Sequence, residues 1–122
     1  MIVGIGVDVC DVARFAAMCE RRPGIVERIL CPHERLADGR PRRAESLAAR
    51  FAAKEALAKA LGAPPGLAWH DAEVIVDDMG RPHFELRGTV AARAVALGVT
   101  RVHLSLSHDA GVSLAYAIAE GR

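Results

Sequence analysis

The chain has 122 residues, 52% of them hydrophobic and 25% charged, with a formal net charge of +1. That length supports one domain, residues 1–122, with a core of its own, and is short for two. No apolar run is long enough to span a bilayer, the amino terminus lacks the basic start and apolar stretch of a secretory signal, and an aromatic content of 4% is thin for a base-stacking nucleic-acid module. A cytoplasmic location is therefore expected, with neither membrane nor nucleic acid as partner. Cys10, Cys19 and Cys31 show no metal-ligand spacing and read as reduced thiols. The near-neutral total conceals an asymmetry: residues 1–59 hold 11 Lys and Arg against 8 Asp and Glu, and residues 60–122 hold 5 against 7. A basic first half suits an anionic ligand or an acidic partner, or is a solvated face.

From the amino terminus, Val3, Ile5, Val7 and Val9 alternate with Gly4, Gly6, Asp8 and Cys10, which predicts a strand with one apolar face. Asp11 is a candidate N-cap for a helix carrying Val12, Phe15, Ala16 and Cys19 and closed before Pro23. Two short helical pieces follow, around Ile25–Leu30 and from Pro32. Arg42 to Leu61 reads as the long helix, stopped by Gly62 and Pro64-Pro65, with an apolar stripe of Leu47, Phe51, Ala58 and Leu61. Strands are expected near residues 72–77 and 83–87, joined through Met79-Gly80-Arg81-Pro82. A helix over residues 89–97 ends at Gly98, and strands over 102–107 and 112–119 flank the turn Asp109-Ala110-Gly111. This order predicts an α+β fold, a mainly antiparallel sheet packed against a long helix.

Three segments carry candidate chemistry. In Gly4-Ile5-Gly6-Val7-Asp8, alternation sets Asp8 opposite Val7 and Val9, beside two positions without side chains. That leaves room for a ligand to reach a carboxylate, and equally suits close strand packing; the third glycine of a dinucleotide fingerprint is missing. In the long helix, Arg43, Arg50 and Lys54 fall within about 40° of one another at 100° per residue, a counter-charge for phosphates. Glu55 lies elsewhere on that helix, four residues before Lys59, with which it could simply pair. In Ser105-Leu106-Ser107-His108-Asp109, the face of His103, Ser105 and Ser107 is polar and that of Val102, Leu104 and Leu106 apolar. His108 and Asp109 emerge at the strand end, but consecutive Ser, His and Asp cannot converge as a triad.

Together these segments resemble the holo-acyl carrier protein synthase family of phosphopantetheinyl transferases, in its short, single-domain branch. The resemblance rests on Gly-Ile-Gly-Val-Asp (4–8) with Asp11 and Arg14, on Arg-Phe-Ala-Ala-Lys-Glu-Ala (50–56) with Lys59-Ala-Leu-Gly (59–62), and on Ser-Leu-Ser-His-Asp (105–109). It implies Mg2+-dependent transfer of 4'-phosphopantetheine from coenzyme A to a serine of an acyl carrier protein, with Asp8 and Glu55 as metal ligands. Lys54 and Lys59 would stabilise pyrophosphate charge. Arg42 and Arg50, with Arg43 as the substitute, would hold the nucleotide end and its 3'-phosphate, and Ser105, Ser107 and His108 would line the same pocket. Either Glu55 through a metal-bound water, or His108 oriented by Asp109, would act as general base. Arg14, Met18, Arg21 and Arg22 would dock the carrier, and the short members of the family imply a homotrimer. A non-catalytic CoA-binding module and a purely structural domain are the rival readings.

Overall fold

The computed structural model describes Met1–Arg122. In chain order its elements are β1 (Ile2–Asp11), α1 (Val12–Arg21), α2 (Ile25–Ile29), α3 (Pro32–Arg35), β2 (Leu36–Ala37), β3 (Arg40–Pro41), α4 (Ala44–Ala60), a 3-10 turn (Trp69–Asp71), β4 (Ala72–Val76), β5 (Pro82–Leu86), α5 (Gly88–Ala96), β6 (Val99–Asp109) and β7 (Val112–Gly121). Every strand pairing is antiparallel, in a main sheet of order β1-β7-β6 and two hairpins, β2-β3 and β4-β5. The α+β class and the antiparallel sheet follow the expectation from the sequence. Asp11 does cap α1, its carboxylate accepting from Arg14 N–H at 2.9 Å, a contact worth about 1 kcal/mol. No helix is long and apolar enough to cross a membrane.

The core is built on α4, and two expectations change there. The anticipated stripe of Leu47, Phe51, Ala58 and Leu61 gives only Leu61 to the fully buried set. The buried positions of the helix are mainly Ala48, Ala49, Ala52, Ala53, Ala56, Leu57 and Ala60. Alanines bring neighbouring backbones close, so the helix is enclosed on most of its circumference and carries no narrow stripe. The helix also begins at Ala44, two residues later than expected, because Arg40–Pro41 pairs with Leu36–Ala37 and Arg42 N–H continues to Arg35 O at 2.9 Å. Arg43 is the extended N-cap residue. Arg42 and Arg43 therefore lie off the helix, and the expected stripe of Arg43, Arg50 and Lys54 does not form.

The face of β1 is the other correction. Gly4 and Gly6 leave no opening for a ligand, because the backbone of α4 fills it: a Cβ on Gly4 would lie 1.9 Å from Ala60 O, and one on Gly6 1.8 Å from Ala56 O. The inner face of the sheet continues through Ala115, Ala117 and Ala119, all fully buried. Val3, Ile5, Val7 and Val9 point the other way and are exposed, as is Tyr116, the partner of Val7 in the register.

Candidate active site

Close packing of β1 on α4 sets the level of each carboxylate. Gly4 meets Ala60 and Gly6 meets Ala56. Two strand residues advance about 6.7 Å and four helical residues about 6 Å, so the two elements run antiparallel nearly in step. The next inward position, Asp8, then comes level with the turn of α4 that carries Phe51 and Glu55. A cleft of about 400 Å3 opens there, lined by Asp8, Asp11, Arg14, Met18, Arg21, Phe51 and Glu55 among others. Phe51 forms its floor, between Phe15 at 5.5 Å and Trp69 at 5.7 Å between ring centroids.

Lys59 turns to β1 and does not pair with Glu55: its Nζ donates to Val7 O at 2.9 Å and to Asp8 Oδ1 at 3.2 Å. Glu55 is half-buried, and burial, then the Asp8 carboxylate, push its pKa up, with Lys59 offsetting part of the rise. A half-buried carboxylate whose ionisation is opposed by a neighbouring carboxylate makes a candidate seat for a cation. Burial, followed by Asp8 and Asp11, also raises the Cys10 thiol to about 11, so this cysteine is no nucleophile at neutral pH.

A second charged site lies toward the start of α4. Arg50 is buried, and its Nη1 donates to Ser46 Oγ at 2.7 Å and Ser46 O at 3.3 Å, while its Nε has no partner. Arg42 Nη2 donates to His33 O at 3.2 Å, and its buried Nε is also unpartnered. Burial, then Arg42, push Arg50 down to about 10, with Glu34 pulling it partly back. Two like-charged guanidinium groups, each with a buried Nε that lacks a partner, make a candidate anchor for an anion.

The sequence matches the 4'-phosphopantetheinyl transferase superfamily over residues 4–117. A holo-[acyl-carrier-protein] synthase of Clavibacter michiganensis is 58% identical over 121 residues, 99% of this chain and 98% of that protein. The chain belongs to this family.

It is an enzyme of the holo-acyl-carrier-protein synthase group. The fold agrees with solved members. An acyl carrier protein synthase of Plasmodium yoelii with ADP bound superposes with a TM-score of 0.88 at 30% identity, covering 100% of this chain and 97% of that one. The holo-(acyl-carrier-protein) synthase of Bacillus anthracis, in complex with CoA (3',5'-ADP), gives 0.79 at 35% identity, covering 100% and 99%.

Against the residues singled out by the family motifs, the structure brings Asp8, Glu55 and Lys59 together and puts Arg14, Met18 and Arg21 on the rim of the same cleft. Arg22 falls outside it, at the end of α1, beside Pro23 and Arg28. Arg43 is exposed and reaches only Glu45, at 3.5 Å, so Arg42 and not Arg43 accompanies Arg50. Lys54 departs most from expectation: it is buried, and its ammonium meets Glu34 Oε1 at 2.7 Å, Ala72 O at 2.7 Å and Trp69 O at 2.9 Å. These three acceptors use all three N–H donors of the ammonium.

Ser105 and Ser107 pair across β7 with Tyr116 and Leu114, the neighbours of Val7 and Val9. They thus occupy the outer face of the sheet, away from Asp8 in the same chain. His108 pairs with Ser113 on the inner side, on the order of 10 Å from Asp8 by strand spacing. Asp109 does not orient His108, since adjacent strand residues point to opposite faces and no hydrogen bond joins them; within one chain the His–Asp base is not assembled.

Sequence reasoning missed Glu34. Its carboxylate is fully buried, Oε1 accepting from Cys31 N–H and Oε2 from Val74 N–H, each at 2.9 Å. Pro32 at N1 with Glu34 at N3 is a readable capping pattern, but only the tertiary fold brings Val74 and Lys54 to the same carboxylate.

Proposed function

We propose that this chain transfers 4'-phosphopantetheine from coenzyme A to a serine of apo-acyl carrier protein, releasing adenosine 3',5'-bisphosphate, in an Mg2+-dependent reaction. The observation that carries this reading is the meeting of Asp8 and a half-buried Glu55 in one cleft whose rim carries Arg14 and Arg21. The donor set fits the metal. Two carboxylates, Asp8 and Glu55, line one cleft, and Mg2+ takes one or two carboxylates and fills its shell with phosphate and water. Bound by Asp8 and Glu55, the metal would supply positive charge to the pyrophosphate.

The remaining steps belong to the chain itself. Arg42 and Arg50 hold the 3'-phosphate of the nucleotide through their guanidinium groups. Lys59, half-exposed and only 3.2 Å from Asp8, is free to swing to the pyrophosphate as charge develops on the leaving oxygen. The serine oxygen attacks the phosphorus that carries pantetheine, the phosphoanhydride bond breaks, and the serine proton passes to Glu55 as general base. Glu55 acts through an intervening water, and it lies in the cleft where His108 of the same chain does not. Arg14, Met18 and Arg21 present charge around an apolar patch to an acidic carrier helix.

A cyclic homotrimer is the assembly this reading calls for. Exposed Val3, Ile5, Val7, Val9 and Tyr116 form a continuous apolar band on the outer face of β1 and β7, and burial against a second copy would cover it. The serines of β6 lie on that face, so a neighbour's Ser105 and Ser107 would close the nucleotide pocket. The three free cysteines suit a cytoplasmic location, where the product carriers serve fatty acid, lipid or polyketide synthesis. Incubation with apo-carrier, CoA and Mg2+, read by intact-protein mass, tests the function. A gain of one phosphopantetheine, abolished by EDTA and restored by Mg2+, is expected, whereas CoA binding without any mass gain would favour a non-catalytic CoA-binding module.

A further inference from the structure

Glu34 and Lys54 meet at 2.7 Å with side-chain exposures of 0% and 3%. Burying two charges is costly unless both are fully hydrogen-bonded, and here they are, to four backbone groups: Cys31 N–H and Val74 N–H on the acid, Trp69 O and Ala72 O on the base. The pair therefore ties α3, α4 and the start of β4 at a single point.

The anchors of Arg42 flank that point. Its Nη2 donates to the carbonyl of His33 and its backbone N–H to the carbonyl of Arg35, the residues on either side of Glu34. Four residues of helix do not hold their own shape, so Glu34 fixes the place of α3. Arg50, the other half of the anion pocket, sits one turn before Lys54 on α4, and Glu34 acts on its charge as well. The spacing of Arg42 and Arg50 thus depends on one buried ion pair.

We propose that Glu34 and Lys54 are positioning residues that set the arginine pair for the 3'-phosphate of coenzyme A, and that Lys54 does not itself touch phosphate. This rests on the reading of Arg42 and Arg50 given above. Coenzyme A and 3'-dephospho-coenzyme A differ only in the phosphate at issue and share the pyrophosphate. Their kcat/KM ratio, with calorimetric affinities for both, is therefore measured in wild type, Glu34→Gln, Lys54→Met and the double variant, each shown to be folded by a thermal melt above the assay temperature.

The wild type is expected to prefer coenzyme A, and the preference to fall by roughly tenfold in each single variant, as when supporting residues behind a binding group are removed. The double variant should lose no more than the worse single one, because the pair acts as a unit, and the carrier KM should stay unchanged. A preference retained in the folded single variants overturns the proposal. So does a Lys54→Met loss that is equal for both nucleotides and adds to that of Glu34→Gln, the mark of direct contact with pyrophosphate. If Glu34→Gln does not fold, Lys54→Arg, which keeps the charge but alters its reach, carries the same two outcomes. A wild type indifferent to the 3'-phosphate would instead overturn the arginine reading, and the positioning role with it.

Discussion

Gly6→Ala replaces one hydrogen by a methyl at the tightest contact between β1 and α4. The added Cβ would lie 1.8 Å from Ala56 O and 2.8 Å from Ala60 N, and both neighbours are helix backbone that cannot rotate away. Restoring an ordinary carbon–oxygen contact of about 3.3 Å requires the strand to retreat by about 1.5 Å. Overpacking of this kind costs about 1–3 kcal/mol, and the rigid neighbours place it at the upper end. For a chain of this size that is a fall of about 10 °C in Tm. Asp8, two residues on, moves with the strand, and a displacement of about 1 Å in a catalytic group is enough for a loss on the order of 100-fold in turnover. Gly4→Ala meets Ala60 O at 1.9 Å and should melt as low, but its greater distance from Asp8 should spare more activity. Thermal melts, with turnover measured below both transitions, decide the matter. A Gly6→Ala protein that melts within about 2 °C of wild type and keeps its turnover would refute the packing argument.

Asp8→Asn and Glu55→Gln should each lower turnover sharply while leaving the melt close to wild type; near-normal activity in both would remove the metal assignment. Arg14→Glu should raise the carrier KM far more than it weakens CoA binding by calorimetry, and added salt should imitate it in wild type because the guanidinium is exposed; equal losses would place Arg14 on the nucleotide. Val7→Asp, on the exposed apolar band, should shift the light-scattering mass from trimer to monomer, and a monomeric wild type would defeat the trimer outright. Asp71 accepts from Thr89 Oγ1 at 2.7 Å and Thr89 N–H at 2.8 Å, and these bonds hold its pKa below the usual aspartate value. A depressed folded value means stability that is present above the unfolded pKa and lost as pH falls through the folded one. Asp71→Asn should therefore melt below wild type at neutral pH, with the gap closing in acid; a gap unchanged by acid would contradict the linkage.

Much of the fold was legible because it rests on local rules. The Asp11 cap, the Gly62 stop, the alternation in β1 and β6 and the turn before Gly111 are each decided by the conformational preferences of a few adjacent residues. The candidate chemistry was legible in the same way, since Asp8, Glu55 and Lys59 stand out as charges interrupting apolar or alanine-rich segments. Side chains in long-range packing were less so. Lys54 looks in sequence like one more cation beside Arg50, and nothing within a helical turn announces the carboxylate twenty residues upstream that claims it.

What the sequence determined by itself is therefore most of the elements and the two carboxylates carried by β1 and α4. Alternation in β1 established that there are two faces, but hydrophobicity alone would have turned Val3, Ile5, Val7 and Val9 inward. Tertiary structure decided otherwise, because only Gly4 and Gly6 allow a strand to lie against the carbonyls of Ala56 and Ala60. Close backbone approach leaves the valines outside, brings Asp8 level with Glu55, and parts Ser105 and Ser107 from both by the thickness of the sheet.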